Sequence, residues 1–466
     1  MDLCFDGTSL FTFITVENNK MKLWDKGTEV NKQIESFTVG KDREMDLYLA
    51  PFDVLGSMAH AIMLEKVDLL SSDELGPILE EMKKIYGKTQ NGSFKIEDGI
   101  EDVHSQVELM LTRILGDSGK KIHSGRSRND QVLLDLKLFI RYKLEQVVKS
   151  VTELFETLQE KSEEHKDDLL PGYTHLQVAM PSSFGLWFGA YAESLTDDME
   201  MLLAAWNITN QNPLGAAAGY GSSFPLDREM TTSLLGFKNM NYNVVYAQMG
   251  RGKTEKNVAS ALASVAYTIG KLAIDGCLYT SQNFGFIKLP DEMTTGSSIM
   301  PHKKNPDVFE LIRAKCNKLQ ALPNEINSIT GNLPSGYFRD MQIIKENFLP
   351  SFDDLISCID LTVFAIKNIQ ITKNIMDDDK YKLAFSVEEV NKLVLEGVPF
   401  RDAYKIVGKQ IEEVSFQHDG TLNHSHQGSI GNLCNADIKN KMNVLNEKFQ
   451  FQNVKEAIEA LLNHTV

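Results

Sequence analysis

The sequence predicts an all-α protein with an elongated central bundle of long helices, flanked by smaller helical N- and C-terminal domains. Apolar residues recur at spacings of three and four over long segments, and strand-like alternation is scarce. The chain has 466 residues, of which 42% are hydrophobic and 24% charged, so it can bury the core of two or three units. Helices longer than the globular average favour a bundle that is extended by oligomerisation.

These patterns divide the chain into four segments. Residues 1–20 precede Met21, which opens MKLWDKG and resembles a more natural start, so we expect them to form a disordered extension. We assign residues 21–127 to the N-terminal helical domain, 128–373 to the central bundle and 374–466 to the C-terminal domain.

Four long helices are expected in the central bundle. The first covers residues 133–158 and continues to about 30 residues, or about 45 Å at 1.5 Å per residue. The second begins after Pro181, a residue that fits a first helical turn, and continues to residue 206. The third carries an apolar stripe over residues 258–272, and the fourth follows Pro306.

Composition excludes several classes of function. A formal net charge of -16 argues against nucleic acid or an anionic membrane surface as a partner. We expect no membrane span, because no run of eighteen uncharged apolar residues occurs. The five cysteines are scattered and lack a C-x-x-C pair. This pattern favours reduced thiols and a cytoplasmic location over a disulfide framework or a zinc site.

Chemically active residue types concentrate in four segments that are expected to be loops at helix ends. The segments are HSGRSRNDQ (123–131), PGYTHLQVAMP (171–181), TTGSSIMPHKKNPD (294–307) and LPSGYFRDMQIIK (333–345).

The first of these segments permits two interpretations. Arg126 and Arg128 precede a long helix, whose N-terminus offers free N–H groups and a positive dipole end, so the segment fits a carboxylate or phosphate clamp. Alternatively, Asn129 or Asp130 caps the helix and the arginines are solvated.

Two further segments carry candidates for proton transfer and charge stabilisation. His175 in GYTHLQ is a candidate general acid or base, although a lone histidine is also commonly solvated. Ser297, Lys303 and Asn305 would stabilise the dianionic intermediate formed when an acid loses a proton beside its carboxylate. The alternative for this segment is a capped surface loop.

Neither a metal nor a cofactor is expected. The histidines His418, His424 and His426 fit no zinc spacing, and no cysteine accompanies them. The glycine-rich segment 215–223 lacks the G-x-G-x-x-G pattern after a strand.

In order and sequence, these segments resemble the aspartase/fumarase superfamily, and within it the argininosuccinate lyases. GSSIMPHKKNP resembles the superfamily signature, whereas HSGRSRNDQV, LPSGYFRDMQ and the doubled lysine of KKNPD are similar to argininosuccinate lyases specifically. The resemblance extends from about residue 21 to the C-terminus. It implies reversible elimination of argininosuccinate to L-arginine and fumarate, the last step of arginine biosynthesis, without a cofactor. It also implies a homotetramer in which each active site is built from three chains.

The resemblance also implies individual roles. Ser297 matches the catalytic serine, His175 the active-site histidine with Glu310 as its carboxylate partner, and Lys303 a group that holds the fumarate side. We expect Ser297 to be the base and His175 to lie on the acid side, and the opposite assignment stays open. The expected substrate-binding residues are Ser57, Asp102, Arg128, Asn129, Thr174, Asn305, Tyr337, Gln342 and Lys345.

The sequence departs from the family pattern in three places that bear on substrate detail. In NPLGAAAGYGSS (212–223), alanine stands where the family often has serine. His302 replaces a common glutamine, and Arg251 lies in YAQMGRGKTEK, where the family segment is more acidic. Three alternatives remain at this point: a lyase for another succinyl adduct such as adenylosuccinate, a non-catalytic protein similar to lens crystallins, and a regulatory arginine-binding module.

Overall fold

The computed structural model describes residues 32–466, and the expected extension at residues 1–20 lies outside them. The predicted all-α class is confirmed for the described residues, in which β structure is limited to short two-stranded pairs. The domain boundaries drawn from the sequence stay predictions.

The N-terminal part consists of helices that pack around their own apolar core. Local capping sets their starts: the Ser71 side chain and Glu74 form a capping box, and Asp102 accepts a hydrogen bond from the backbone N–H of Ser105 at 2.8 Å. The helices are α1 (Lys32–Val39), α2 (Asp42–Lys66), α3 (Ser72–Gln90), α4 (Val103–Leu115) and α5 (Asp117–Lys121).

The four predicted long helices are present, and the structure adds a fifth. The helices of the central part are α6 (Arg128–Glu164), α7 (Phe184–Thr209), α8 (Arg228–Leu234), α9 (Val244–Met249), α10 (Lys253–Thr280), α11 (Asp307–Thr330) and α12 (Ile344–Asn368). Helix α6 has 37 residues, longer than predicted, and α12 is the bundle helix that the sequence analysis did not assign.

The predicted start of the second long helix was wrong. Helix α7 begins at Phe184 because the Ser183 side chain accepts a hydrogen bond from the N–H of Leu186 at 3.0 Å and so caps it. Pro181 lies instead in a strand, opposite Pro171.

Short strand pairs close the ends of the bundle. The antiparallel pairs are β1 (Leu169–Thr174) with β2 (Gln177–Ser183), β5 (Ile287–Lys288) with β8 (Gln370–Ile371), and β6 (Thr295–Gly296) with β7 (Lys304–Asn305); β3 (Gln211–Asn212) and β4 (Asn239–Met240) are parallel. The C-terminal part comprises α13 (Ser386–Leu395), α14 (Phe400–Glu412), α15 (Asn435–Asn446) and α16 (Phe451–Leu462).

The long helices run alternately up and down, so the connections fall into two groups at opposite ends. At one end, the side chain of Lys137 near the start of α6 donates to Gln211 O after α7 (2.8 Å), and the start of α10 packs on Thr330 at the end of α11. At the other end, Tyr173 of β1 lies 5.4 Å from the Phe284 ring after α10. We call these the Asn129 end and the His175 end.

One continuous apolar core fills the bundle, and a second fills the N-terminal part. Fully burying each Leu or Phe side chain contributes about 1.5–3 kcal/mol, so these cores dominate the stability of the fold. Helices α2 and α10 are long and apolar enough to cross a membrane, but 78% and 56% of their most apolar windows are buried inside the fold. Their apolar faces therefore belong largely to the protein core.

Candidate active site

A polar cavity of about 220 Å³ lies at the Asn129 end, between the starts of α2, α4 and α6 and the segment before α12. It brings together many of the predicted substrate-binding residues from distant parts of the chain. These are Asp102, Arg128, Asn129, Tyr337, Gln342 and Lys345.

The first turn of α6 positions Asn129 beside this cavity. Ser127 is the capping residue, and its backbone N–H donates to Asp130 Oδ1 at 2.8 Å. Asp130 is fully buried and also accepts from the backbone N–H of Ala217 at 3.0 Å, so it ties the glycine-rich segment to the helix start. Burial raises the pKa of Asp130 to about 6. The helix is capped locally, but the cap is Ser127 and not Asn129, with Asp130 as its capping-box partner. The expectation of solvated arginines was wrong, because Arg126 is 8% exposed.

Arg128 is held by carboxylates of the protein itself. Its guanidinium lies 3.0 Å from Asp102 Oδ2 and 3.2 Å from Glu101 Oε2, and it donates to Ser105 Oγ at 2.8 Å. Arg128 and Asp102 thus neutralise each other and form a fixed wall of the cavity.

Lys345 lies at the bottom of the cavity between two carboxylates that the sequence analysis missed. Its ammonium group is 2.6 Å from Asp46 Oδ1 and is also ion-paired with Asp42. Burial alone would lower the pKa of Lys345, but the two carboxylates outweigh it and the pKa is raised. Burial raises the pKa of Asp42 to about 6. The spacing of the two aspartates, one turn apart in α2, was the available sequence signal.

Arg251, whose role the sequence left open, also lines this cavity. It is 4% exposed, donates to Met341 O at 3.1 Å and lies 3.3 Å from Glu255 Oε1. Gln342 donates to the backbone oxygens of Thr38 and Val39 at 3.1 and 3.0 Å, which fastens the end of α1 to the cavity.

Ser57 does not line the cavity. It is 1% exposed, and its hydroxyl accepts a hydrogen bond from Arg126 Nη1 at 2.9 Å. Its predicted contact with substrate stays a prediction.

His104 also lines the cavity, and behind it Asp53 and Asp135 complete a group whose possible metal-ligand atoms lie within 4.8 Å of one another. Burial alone would lower the pKa of His104, but Asp53 (2.7 Å) and Asp135 (3.5 Å) outweigh it and raise the pKa to about 10. Asp53 Oδ1 and His104 Nδ1 are hydrogen-bonded to each other, so these groups bind one another inside the fold. This arrangement is an internal ion cluster.

His175 lies at the other end of the bundle, on the exposed tip of a β-hairpin and not in an irregular loop. His175 and Leu176 form the two-residue turn between β1 and β2, with φ of 53° and 58°. Positive φ at both central positions defines a type I′ turn, which normally selects Asn and Gly. A bulky pair in this conformation is strained, and such strain concentrates at functional sites. Thr174, which precedes the turn, is also exposed.

Ser297 lies at the same end, on the loop between β6 and β7. Its Oγ accepts hydrogen bonds from the backbone N–H groups of Met300 (3.1 Å) and Ile299 (3.3 Å). Two aligned N–H groups stabilise negative charge on that oxygen. Lys303 is exposed on the same loop, where its N–H donates to Met300 O at 3.0 Å, and Asn305 follows in β7.

A single chain does not bring these groups together. Helix α6, with 37 residues, spans about 55 Å at 1.5 Å per residue and separates Asn129 from the His175 hairpin. Within the described residues, the side chains of His175 and Glu310 form no hydrogen bond or ion pair with each other, so their pairing stays a prediction. Ile299 of the serine loop is 83% exposed, so the loop projects from its own chain.

Solved structures share this fold. The chain superposes on a variant of EDDS lyase with bound fumarate, with a TM-score of 0.74 at 20% identity, covering 94% of both chains. It also superposes on class II fumarase from Schistosoma mansoni (TM-score 0.65, 16% identity, 82% of this chain and 91% of the other). Residues 16–321 match the family model described as Lyase. The family model, together with the shared fold, places the chain among the lyases of the aspartase/fumarase superfamily.

Relatives of known family identify the family within this superfamily to which the chain belongs. Argininosuccinate lyases of Bacteroides fragilis and Parabacteroides distasonis are 65% and 63% identical, each over 95% of this chain and 99% of the relative. The argininosuccinate lyase of Thermotoga neapolitana is 36% identical, over 84% of this chain and 98% of the relative. The chain therefore belongs to the argininosuccinate lyase family, a family of carbon–nitrogen lyases, which confirms the predicted resemblance.

Proposed function

We propose that this lyase cleaves argininosuccinate reversibly into L-arginine and fumarate, as the last step of arginine biosynthesis, at sites shared between the subunits of a homotetramer. The observation that carries the shared site is the separation within one chain. The cavity holding Asn129 and Lys345 lies at one end of the bundle, whereas His175 and Ser297 lie at the other. Acid and base must flank one substrate within hydrogen-bond reach, so antiparallel packing of the long helices of several chains would complete each site.

The arginine portion of the substrate would occupy the cavity at the Asn129 end. Lys345 carries one positive charge between the carboxylates of Asp42 and Asp46, so the cluster has one net negative charge when both are ionised. A ligand ammonium group would balance this charge, and the ligand carboxylate would bind Lys345. The rest of the arginine portion would then be oriented by Asn129, Tyr337 and Gln342.

The succinyl portion would be enclosed by the loops at the His175 end of neighbouring chains. Ser297 removes the proton beside the carboxylate, and Lys303 and Asn305 bind the resulting dianionic intermediate. The carbon–nitrogen bond then breaks, and the departing guanidinium nitrogen receives a proton from His175, which Glu310 supports. The two N–H groups on Ser297 Oγ support its role as the base, because they stabilise an anionic oxygen. The reverse assignment would make His175 the base.

Fumarate release from purified candidate substrates tests the reaction. We expect ultraviolet absorbance of fumarate to rise with argininosuccinate and not with adenylosuccinate. Turnover of adenylosuccinate alone, or binding of argininosuccinate or arginine without turnover, would contradict the proposal.

Complementation between inactive variants tests the shared site. His175→Ala and Ser297→Ala are each expected to be inactive, and denaturing and co-refolding them should restore on the order of a quarter of the wild-type activity if mixing is random in a symmetric tetramer. Absence of recovery, with mixed tetramers confirmed by native mass spectrometry, would place both residues in a site made by one chain.

We also propose a cytoplasmic location. The supporting observation is that the cysteines in the described part of the chain, Cys277, Cys316, Cys358 and Cys434, are not joined in disulfides. Secretion of the native protein with oxidised cysteines would contradict this location.

A further inference from the structure

The tip of the hairpin that carries His175 overhangs the bundle. Residues 174–178 are all exposed, and Leu176, which forms the turn with His175, is 73% exposed. Tyr173 is the residue nearest to the turn whose side chain packs against the apolar core of the described chain. The position of His175 relative to the bundle therefore depends on what holds Tyr173.

Backbone pairing alone fixes this hairpin poorly. Pro171 and Pro181 lie opposite each other, and neither has an N–H group to donate across the pair. The register then shifts between Pro171 and Tyr173, where a Cβ atom added at Gly172 would lie 2.9 Å from Met180 O. A two-stranded ladder is marginally stable by itself, and an irregular register lets it bend. The direction of the tip must therefore be set by a side-chain contact.

The ring of Tyr173 makes such a contact with two phenylalanines that follow α10. Its centroid lies 5.4 Å from the Phe284 ring, edge to face at 70°, and 6.3 Å from the Phe286 ring. Phe286 is 1% exposed, and its backbone N–H donates to Tyr279 O at 2.9 Å. Its carbonyl oxygen accepts from the N–H of Thr372 at 2.8 Å. The Tyr173 ring therefore packs on a platform that is itself held in place.

The hydroxyl of Tyr173 is held as well. It is hydrogen-bonded to the hydroxyl of Tyr381, a residue that is 2% exposed. Tyr381 belongs to a short 3-10 helix (Asp379–Phe385) that packs against β2, and its ring lies 6.3 Å from the Phe286 ring. Burial and this hydrogen bond raise the pKa of Tyr173, so the phenol stays protonated at neutral pH. Ring and hydroxyl together fix both the place and the rotation of the side chain.

We propose that Tyr173 is a positioning residue for His175. Its ring on Phe284 and its hydroxyl bond to Tyr381 hold the overhanging hairpin in the orientation from which the imidazole reaches a substrate. The role of His175 in proton transfer rests on the proposed function, whereas the anchor rests on the contacts of Tyr173 within its own chain.

Tyr173 would act on catalysis through the hairpin backbone and not by touching the substrate. Only Thr174 separates it from the turn, so a small rotation at Tyr173 is carried directly to His175. A misplacement of a reacting group by about 1 Å can lower the rate by about 10²-fold, because proton transfer requires hydrogen-bond contact. Substrate affinity should change much less, since the arginine portion is held in the cavity at the Asn129 end.

Removing only the hydroxyl tests the anchor. Tyr173→Phe keeps the ring on Phe284 but loses the bond to Tyr381, so the melting temperature should stay close to that of the wild type. We expect kcat for fumarate release to fall about tenfold and KM to change by less than about twofold. An unchanged kcat, or a loss that appears in KM alone, would overturn the proposal.

The partner hydroxyl supplies a second variant. Tyr381→Phe should lower kcat to the same extent, and combining it with Tyr173→Phe should cause no further loss, because both remove the same hydrogen bond. Tyr279→Phe is the matched control: its ring lies in the same aromatic cluster, 5.2 Å from Phe286, but outside the hairpin, and it should retain the wild-type kcat. Multiplicative losses in the double variant, or an equal loss in Tyr279→Phe, would contradict a specific anchor.

Hydrogen exchange followed by mass spectrometry separates the anchor from the proposed function, because it needs no substrate. In Tyr173→Phe, or in Tyr381→Phe if the first variant does not fold, the peptide covering residues 169–183 should exchange faster than in the wild type. Exchange in the rest of the bundle should be unchanged. A wild-type chain that releases no fumarate would overturn the proposed function, whereas unchanged exchange in the hairpin of a folded variant would overturn the anchor.

Discussion

At the residue scale, short hydrogen-bonding patterns prepare the groups proposed to react. The Ser297 oxygen accepts two backbone N–H groups from its own loop, at 3.1 and 3.3 Å. His175 occupies a hairpin turn whose positive φ normally selects Asn or Gly. In the cavity at Asn129, Lys345 lies between two carboxylates and stays charged although it is buried. Each of these groups is therefore held in a defined position before substrate arrives.

Removing the Ser297 hydroxyl should eliminate turnover and leave substrate binding. We expect Ser297→Ala to lower kcat by about 10²- to 10⁴-fold, the range for loss of a proton-transfer group. Binding of argininosuccinate, followed by calorimetry, should be retained because the arginine portion is held elsewhere. Ser298→Ala, the adjacent serine, is the control and should retain most activity. Near-normal turnover of Ser297→Ala would refute its role.

The ionisation of Asp42 should govern binding of the arginine portion. Its pKa is raised to about 6, so the carboxylate is ionised at neutral pH and becomes protonated as the pH falls through about 6. Protonation removes the net negative charge of the cluster that would attract the substrate ammonium, so kcat/KM should fall below pH about 6.

A substitution of Asp42 separates its contribution to the pH dependence of kcat/KM from that of other titrating groups. At neutral pH, Asp42→Asn should raise KM by about tenfold, in line with the loss of one charged hydrogen bond, and should remove the part of the pH profile due to Asp42. Glu44→Gln in the same turn of α2 does not line the cavity and serves as the control. A profile that is identical in wild type and Asp42→Asn would exclude Asp42 as the titrating group.

At the element scale, glycine permits the close approach of α6 and α7 that fixes the base of the His175 hairpin. A Cβ atom added at Gly185 would lie 2.5 Å from Lys166 Cα and 2.6 Å from Ser162 O, both backbone atoms. The Ser162 hydroxyl donates to Gly185 O at 2.7 Å, which joins the two helices at the same place. The end of α6 and the start of α7 therefore approach each other more closely than any side chain at residue 185 would allow.

Gly185→Ala should destabilise the protein although alanine is the better helix former. The clash involves backbone that cannot rotate away, so we expect the free energy of unfolding to fall by several kcal/mol, more than the ~1 kcal/mol gained from helix propensity. Thermal or denaturant unfolding measures this change.

The control is Gly76→Ala in α3, where an added Cβ would have nothing within 4 Å. That substitution should stabilise the chain by about 0.5–1 kcal/mol. Equal effects of the two substitutions would show that the packing of α6 on α7 tolerates a side chain.

At the scale of the whole molecule, the last helix shares one core with the described N-terminal helices. Helix α16, the last of the chain, packs against the N-terminal part: Leu461 is 1% exposed and belongs to the same apolar cluster as Met58 and Leu79. Lys83 donates to the backbone oxygen of His464 at 3.0 Å. The last helix therefore stabilises the part of the chain that carries Asp42 and Asp46.

Leu461→Ala should thus destabilise the N-terminal part from a position at the C-terminus. We expect a loss of about 2–5 kcal/mol in the free energy of unfolding, the usual effect of emptying a buried leucine site. Leu395→Ala, at a leucine that is 89% exposed, should change it by less than about 0.5 kcal/mol. Comparable losses in both variants would contradict the shared core.

Much of the fold was predictable because helix formation follows a local period. The stripes at residues 133–158 and 258–272 predicted α6 and α10, and Pro306 marked the start of α11. The start of α7 was missed, because the choice between Pro181 and the Ser183 cap depends on the pairing of Pro181 with Pro171 in a hairpin.

The sequence by itself determined the helical class, the family and the segments that carry polar chemistry, since periodicity and motifs are properties of neighbouring residues. Tertiary structure decided which of those residues meet. It placed Asp42 and Asp46 against Lys345, about three hundred residues later in the chain, and Leu461 in the N-terminal core. It also left Asn129 and His175 at opposite ends of a 37-residue helix. Such contacts depend on the packing of whole helices, and no local pattern encodes them.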